Sequence, residues 1–216
     1  MIKKVFFIRH GEVEYPRNKK GEELVYGPLT PLSELGKRQI SSLGREFKKN
    51  KIRIQMIFSS PYLRTKQSAK EFKNQLDNKL PLVFIKELRD VDNFGWHGAT
   101  MKEYGKISGD VYSYPLAKND ETLEQLSTRA FNVVKKIITT KYQSFAVVSH
   151  GDFLRALIWT LKHKKAPPNY HEMKKFFYLE KGQAIEYKID KSLKSVKRLR
   201  VITIEDVKKS IEYWRK

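Results

Sequence analysis

Residues 3–12 read KKVFFIRHGE, an apolar run that ends in an arginine, a histidine and a glycine. Val, Ile and Phe favour strands, and a short continuous apolar run is typical of a buried strand, so we predict one over Lys3–Ile8. Residues 145–151 read FAVVSHG and repeat the pattern, which predicts another strand over Phe145–Val148. Each predicted strand leads directly to a histidine that is followed by a glycine.

The rest of the chain alternates between helical and strand periods. Four further strands are predicted at Met56–Phe58, Leu82–Ile85, Gln183–Ile189 and Val196–Ile202. Helices are predicted after the N-cap Ser33, after the cap Ser60-Pro61 as far as Leu76, and at Glu121–Lys141, Phe153–Leu161 and Glu205–Trp214. This alternation predicts an α/β fold, a three-layer α/β/α sandwich with a mainly parallel central sheet, in one domain spanning residues 1–216.

The composition limits the partners of the chain. It has 216 residues, with 44 Lys and Arg against 24 Asp and Glu, a formal net charge of +20 and no cysteine. This positive charge attracts anions, such as phosphorylated metabolites, nucleic acid or an acidic membrane surface. The excess of basic over acidic residues is densest in residues 162–216, which contain 16 basic and 7 acidic residues. Without cysteine the chain forms neither disulfides nor thiolate metal sites.

No targeting segment or membrane span is expected. The apolar run Val5–Ile8 is too short for the core of a signal peptide or for a membrane span. We therefore expect a soluble, cytoplasmic protein with no membrane partner.

Two long connections separate the predicted elements. Residues 12–31 and residues 86–120 contain glycines, prolines and charged side chains without a clear period. Connections of this length inside a compact domain usually carry function. Within them, residues 13–31 and 105–120 are candidates for the walls of a binding pocket, together with the loop around Pro167-Pro168.

Four side chains are expected to converge at one edge of the sheet. Ligands of parallel sheets bind beyond the carboxyl ends of the strands. If the two strands quoted above are parallel members of one sheet, His10 and His150 emerge at the same edge, with Arg9 beside His10 and Arg64 one turn into a nearby helix. Arginine suits phosphate oxygens, and a neutral imidazole is a nucleophile near pH 7, so this set describes phosphoryl transfer through a histidine.

Other chemistries fit the sequence less well. A zinc site needs a third ligand at suitable spacing, and the remaining histidines form no HExxH motif; they are His97, His163 and His171. The chain has neither the G-x-S-x-G elbow of Ser-His-Asp hydrolases nor the Walker loop G-x-x-x-x-G-K-[ST]. Phosphoryl transfer through a histidine therefore remains the chemistry that the residues favour.

The sequence resembles the histidine phosphatase superfamily, in its phosphoglycerate mutase-like branch. Six blocks carry the resemblance and follow the family's order. They are Arg9-His10-Gly11-Glu12; Leu32-Ser33 with Gly36 and Gln39; Ser60 with Arg64-Thr65 and Gln67-Ser68-Ala69; Leu88-Arg89-Asp90 with Trp96 and Gly98; Glu121-Thr122 with Arg129; and Ser149-His150-Gly151 with Arg155-Ala156-Leu157.

The resemblance implies a phosphoglycerate mutase-like fold and a ping-pong phosphatase or mutase. In such an enzyme His10 attacks phosphorus and becomes phosphohistidine, while Asp90 protonates the leaving oxygen and then activates water. The implied catalytic residues are His10, Asp90 and His150, and the implied phosphate-binding residues are Arg9, Arg64, His150 and Gly151. Cationic side chains take the role that magnesium has in kinases, so the resemblance implies no metal and no cofactor.

The chain departs from the family pattern near the proton donor. The family usually has Glu where Asp90 stands, so Glu87 and Asp92 remain rival proton donors. Pro16 stands where family members often carry an asparagine that contacts phosphate. Arg129 is expected to bond the loop backbone rather than to act in catalysis.

Three functions stay open, in order of preference. A phosphomonoester phosphatase acting on small phosphorylated metabolites comes first, because residues 91–105 read VDNFGWHGATMKEYG and lack the mutase stretch Tyr-Gly-x-Leu-x-Gly-Leu-Asn-Lys. A cofactor-dependent phosphoglycerate mutase comes second. A weakly active or inactive member that binds a phosphorylated or nucleic-acid partner through residues 162–216 comes third, although no nucleic-acid motif or stacking platform supports it.

A second anionic group on the substrate is a further expectation. Four lysines in the two long connections are candidates to recognise it: Lys19, Lys20, Lys102 and Lys106. On this hypothesis the substrate is small, phosphorylated and polyanionic.

Overall fold

A six-stranded sheet forms the centre of the computed structural model, which describes residues 1–205. The strands are β1 (Ile2–Arg9), β2 (Met56–Ser59), β3 (Leu82–Phe84), β4 (Ser144–Ser149), β5 (Ala184–Asp190) and β6 (Val196–Ile202), in the spatial order β3-β2-β4-β1-β5-β6. Strands β1 to β4 are parallel, and β5 runs antiparallel to both β1 and β6. The mainly parallel sheet predicted from the sequence is confirmed.

Helices cover both faces of the sheet. They are α1 (Glu34–Lys49), α2 (Leu63–Leu76), α3 (Met101–Lys106), α4 (Leu123–Ile138), α5 (Gly151–His163) and α6 (Tyr170–Lys175). None of the helices in residues 1–205 combines the length and apolar character that a bilayer span requires. The predicted tail helix at Glu205–Trp214 lies, after its first residue, outside the described part of the chain.

The apolar side chains of β1 belong to two hydrophobic cores, one on each face of the sheet. Phe6 and Ile8 are fully buried against α1 and α2 on one face of the sheet. Val5 and Phe7 are fully buried on the other face, in the core that α4 and α5 complete. A strand that is buried on both faces has no polar alternation, which explains why the sequence of β1 is continuously apolar.

One predicted helix cap is confirmed and the other is wrong. The Ser33 hydroxyl accepts from the N–H of Gly36 (3.1 Å) and caps α1. Helix α2 begins at Leu63 with Tyr62 as its N-cap, not at Ser60-Pro61. The Ser60 hydroxyl accepts from the N–H of Tyr62 (3.3 Å), which precedes the helix, and lies 2.8 Å from Nε2 of His150, so it does not cap the first turn of α2.

The two long connections pack against each other beyond the carboxyl ends of the strands. The N–H of Val25 donates to the carbonyl of Ala99 (2.7 Å), and the N–H of Gly98 donates to the carbonyl of Val25 (3.0 Å). The second connection contains helix α3, and a capping box between Thr100 and Glu103 stabilises the start of this helix. Helices α3 and α6, of six residues each, were not predicted from the sequence.

Candidate active site

Two histidines face each other at one edge of the sheet. Strands β1 and β4 are parallel neighbours, and their last residues, Arg9 and Ser149, are paired in register. His10 and His150 therefore leave the sheet side by side, with ring centroids 5.3 Å apart and ring planes at 62°. Both side chains are buried. The predicted convergence of the two histidines at one edge is confirmed.

The bond to Gly11 defines which nitrogen of His10 is free. Nδ1 of His10 lies 2.7 Å from the carbonyl oxygen of Gly11. A carbonyl oxygen only accepts, so Nδ1 donates and Nε2 of the neutral ring keeps its lone pair. Close packing fixes this loop, because a Cβ on Gly11 would lie 2.4 Å from the carbonyl oxygen of Gly36.

His150 forms its hydrogen bond through Nε2, whereas His10 uses Nδ1. Its Nε2 lies 2.8 Å from the Ser60 hydroxyl, and its Nδ1 lies 3.4 Å from Oδ2 of Asp90 without hydrogen-bond geometry. His150 is also the N-cap of α5, and Gly151, the first residue of that helix, lines the site. The free N–H groups and the dipole at a helix N-terminus favour an anion at this position.

Arg64 is held by one acidic and two aromatic side chains. Its guanidinium donates to Oδ2 of Asp90 (2.9 Å) and to the carbonyl of Gly27 (2.9 Å). It also lies 4.9 Å from the ring centre of Tyr26 and 5.3 Å from that of Tyr62. The ion pair with Asp90 offsets the charge of the guanidinium, and its Nε has no hydrogen-bond partner within residues 1–205.

Arg9 is positioned in a similar way from the other side. Its guanidinium donates to the carbonyl of Leu179 (2.9 Å) and lies 4.5 Å from the ring centre of Tyr178. Arg155 lies 3.7 Å from the same ring centre. The Tyr178 ring thus carries two guanidinium groups, one of which belongs to the site.

Three buried nitrogen atoms of the site lack hydrogen-bond partners within residues 1–205. They are Nε of Arg9, Nε of Arg64 and Nδ1 of His150. Buried polar atoms without partners are rare in proteins and need a physical explanation. An anion bound between the arginines and the imidazoles is a natural acceptor for such donors.

Burial and neighbouring cations keep both imidazoles neutral. The pKa of His10 lies well below its ordinary value because of burial, with Arg64 and Arg9 adding to the effect. The pKa of His150 is lowered well below its ordinary value by burial and by the same two arginines. A neutral His10 has the lone pair that a nucleophile requires.

Of the three candidate proton donors, only Asp90 reaches the site. Its carboxylate binds Arg64 and lines the same cavity as His10. Asp92 is paired with Arg89, and Glu87 is exposed to solvent.

Arg129 fixes the segment that carries Asp90. Its guanidinium donates to the backbone carbonyls of Glu87 (2.8 Å), Arg89 (3.0 Å) and Asp90 (3.0 Å), and it forms an ion pair with Glu121 (2.6 Å). The predicted loop-bonding role of Arg129 is confirmed by these contacts.

A cavity of about 210 Å³ opens in front of the histidines. The predicted wall segment 13–31 contributes Tyr15 and Tyr26, whereas the predicted segments 105–120 and Pro167-Pro168 do not line this cavity. Its wall also includes residues that were not predicted: Tyr62, Tyr104, Asp152, Tyr178 and Lys181. Burial raises the pKa of Asp152, which accepts a hydrogen bond from the Tyr112 hydroxyl (3.3 Å). Residues 178–183 reach the site because they precede β5, whose antiparallel course starts at the edge where β1 ends. That topology is the one signal that could have located Tyr178 and Lys181.

The four lysines proposed for a second anion lie elsewhere. All of them are exposed and none lines the cavity; they are Lys19, Lys20, Lys102 and Lys106. Among the other histidines, His97 does line the cavity. Trp96 is buried and its indole donates to the carbonyl of Tyr114 (2.8 Å), so it packs the loop rather than facing a ligand.

Metal-binding groups are scarce in the described part of the chain. Residues 1–205 contain no group of three or more His, Asp or Glu side chains arranged to hold a metal ion. The positive charge of the site comes instead from the guanidinium groups of Arg9 and Arg64.

An α/β sandwich with paired imidazoles and arginines at its strand ends defines a class of histidine-based phosphate sites. The chain matches the histidine phosphatase superfamily (branch 1) over residues 5–192 and belongs to that family. It is 28% identical over 169 residues to a Hydrogenobacter thermophilus protein named "Putative phosphoserine phosphatase 2", with 74% of this chain and 79% of that protein covered.

Solved structures share the fold. The alpha-ribazole phosphatase of Shigella flexneri superposes with a TM-score of 0.72 at 22% identity, covering 93% of this chain and 96% of that one. The phosphoserine phosphatase of Entamoeba histolytica, solved with 3-phosphoglyceric acid, gives a TM-score of 0.69 at 19% identity over 95% and 99% of the two chains. At this level of identity the likeness establishes the fold alone.

Proposed function

We propose that the protein is a metal-independent phosphomonoester phosphatase of the histidine acid type, acting on small phosphorylated metabolites through a phosphohistidine intermediate. One observation carries the proposal. Nδ1 of His10 is committed to the Gly11 carbonyl, so the lone pair of Nε2 is free in a buried pocket that Arg9 and Arg64 make cationic. A buried neutral nucleophile between two permanent cations suits attack on a phosphate dianion.

In the first step Nε2 of His10 attacks phosphorus. The bond from phosphorus to the leaving oxygen breaks as the nitrogen–phosphorus bond forms, and that oxygen takes a proton from the Asp90 carboxyl. Arg9, Arg64 and His150 stabilise the charge on the three non-bridging oxygens. The alcohol leaves, and His10 carries the phosphoryl group.

In the second step Asp90 acts as a base. Its carboxylate takes a proton from water, the oxygen of that water attacks phosphorus, and the nitrogen–phosphorus bond breaks. Inorganic phosphate leaves, and the electron pair of the broken bond returns to Nε2 of His10. The site is then restored, with Asp90 protonated for the next substrate.

The cavity supports a small substrate. Its volume of about 210 Å³ is small beside the roughly 300–1,000 Å³ of typical ligand pockets. Relatives with the same fold bear the names of phosphatases for phosphoserine, alpha-ribazole and glucosyl-3-phosphoglycerate, which agree with a phosphorylated metabolite as substrate.

The test is a panel of phosphorylated metabolites, assayed with the wild-type protein and with His10→Ala. We expect phosphate release by the wild type, unchanged after treatment with a metal chelator, and none above background by the variant. Equal hydrolysis by both proteins contradicts the assigned nucleophile. Isomerisation of 3-phosphoglycerate with a bisphosphate primer would indicate a mutase instead. Salt-dependent binding to nucleic acid without any turnover would indicate a binding protein.

A further inference from the structure

Lys181 reaches the cavity from the turn that leads into β5. The N–H of Gly182 donates to the carbonyl oxygen of His10 (3.0 Å), which ties this turn to the nucleophile loop. Gly182 has a φ of 77°, a left-handed conformation that favours glycine. The Lys181 side chain is 13% exposed and lines the cavity with His10.

The ammonium of Lys181 has one donor beyond those its neighbours use. It donates to the carboxylate of Glu12 and to the hydroxyl of Tyr15 (2.9 Å). An ammonium has three N–H groups, so one remains after the acceptors found within residues 1–205. Burial lowers the pKa of Lys181, but Tyr26, Tyr15 and Glu12 outweigh it and the net shift is upward, so the group is charged.

Lys181 lies on the side of the cavity that Tyr15 and Tyr26 form. Its ammonium is 4.8 Å from the ring centre of Tyr15 and 5.8 Å from that of Tyr26, on which Arg64 also packs, whereas Arg9 packs on Tyr178. A mostly buried ammonium favours an anionic acceptor for its remaining N–H, because leaving that group unpaired costs free energy. A ligand in the cavity that carries an anionic group can supply this acceptor.

Resting on the phosphatase activity proposed above, we propose that Lys181 binds a carboxylate carried by the leaving group. Short phosphorylated carboxylic acids are then the substrate class. The small volume of the cavity, about 210 Å³, agrees with a substrate that has a few carbon atoms beyond the phosphate. Lys181 replaces the exposed lysines of the long connections as the group that recognises a second anion.

The experiment compares 3-phosphoglycerate with glycerol 3-phosphate, which lacks the carboxylate. We expect the wild type to prefer 3-phosphoglycerate by kcat/KM. Lys181→Met should lower kcat/KM for 3-phosphoglycerate about 10- to 100-fold and that for glycerol 3-phosphate less than about threefold. Lys181→Arg should keep most of the preference, and Lys135→Met, which removes an exposed lysine of α4, should leave both values unchanged.

Three results overturn the proposal: a wild type without preference, an equal loss on both substrates in Lys181→Met, or no loss on either. The first needs no variant, so the test stands even if Lys181→Met does not fold. Binding titrations on His10→Ala, with and without Lys181→Met, separate this proposal from the phosphatase activity. Lys181-dependent preference for 3-phosphoglycerate in a protein whose wild type shows no turnover would refute the activity and retain the carboxylate site.

Discussion

The carboxyl ends of β1 and β4 are built alike, but the histidines that follow them make different hydrogen bonds. Each is a buried parallel strand that leads into a histidine and a glycine, and the two histidines are next to each other because Arg9 and Ser149 are paired in register. Both imidazoles are buried and both have a lowered pKa. Strand geometry therefore explains why two imidazoles meet, but not why they would differ in role.

The difference lies in which ring nitrogen is occupied. His10 uses Nδ1 to bond the Gly11 carbonyl, which leaves Nε2 free. His150 uses Nε2 to bond the Ser60 hydroxyl, and its Nδ1 lies near Asp90. On the proposed function, this difference in hydrogen bonding distinguishes the nucleophile from a phosphate-binding imidazole. This comparison can be tested by removing the two histidines in turn.

Loss of the nucleophile should have the largest effect. His10→Ala removes the attacking nitrogen, so we expect kcat for phosphomonoesters to fall about 10⁴-fold or more. Steady-state assays of phosphate release measure this effect, and thermal unfolding serves as the control for an intact fold. A variant that retains a tenth of the wild-type activity would place the nucleophile elsewhere.

Loss of the second histidine should cost less. His150→Ala removes one donor to the phosphate oxygens, so we expect kcat to fall about 10²- to 10³-fold while His10 still becomes phosphorylated. Ser60→Ala keeps the imidazole and removes its partner, and should cost less than His150→Ala. If His150→Ala abolishes phosphorylation and His10→Ala does not, the two roles are reversed.

The two glycines offer a matched pair of substitutions. A Cβ at residue 11 would lie 2.4 Å from the Gly36 carbonyl oxygen, so Gly11→Ala should lower the free energy of unfolding by about 1–3 kcal/mol. A Cβ at residue 151 would meet the Tyr178 hydroxyl at 2.2 Å and Cζ of Arg9 at 2.9 Å. Since those are side chains that can move, Gly151→Ala should lower kcat/KM about tenfold and change stability less than Gly11→Ala. Urea unfolding measures the loss of stability in each variant, and steady-state kinetics measure the loss of kcat/KM. Equal losses of stability in the two variants would contradict the expected difference.

The smallest expected effect is on the pH dependence of stability. The pKa of each histidine is lower in the native state than its ordinary value of about 6.5, so below pH 6.5 the unfolded chain binds more protons. Stability should therefore fall as the pH drops below about 6.5, by up to about 1.4 kcal/mol per pH unit for each histidine. Urea unfolding at pH 7, 6 and 5 should show a shallower decline for His150→Gln than for the wild type. Identical slopes would show that His150 is not buried in its neutral form.

The sequence predicted those parts of the fold and site that depend on regular elements. The apolar runs of β1 and β4 identify both strands, and their shared direction places His10 and His150 together. Arg64 follows in the same way, because it lies in the first turn of α2 after β2. The roles of these residues in catalysis remain predictions that the kinetics above test.

The remaining parts depend on contacts that have no period in the sequence. Helices α3 and α6 have six residues each, which is too short for a hydrophobic period to be visible. The helix start predicted at Ser60 was wrong because its hydroxyl bonds the N–H of Tyr62, which precedes the helix, and His150, a partner that only the folded chain brings near. Lys181 was missed because it lies in an irregular turn, and its importance follows from the antiparallel course of β5.

The most direct test of the account is to trap the covalent intermediate. The wild-type protein is mixed with a labelled phosphomonoester, stopped with base within one turnover, and digested to locate the label. The account predicts one phosphoryl group on His10, stable in base and lost in acid, which forms and decays at rates that match turnover. Phosphate release with no such adduct, or with the phosphoryl group on another residue, would contradict it.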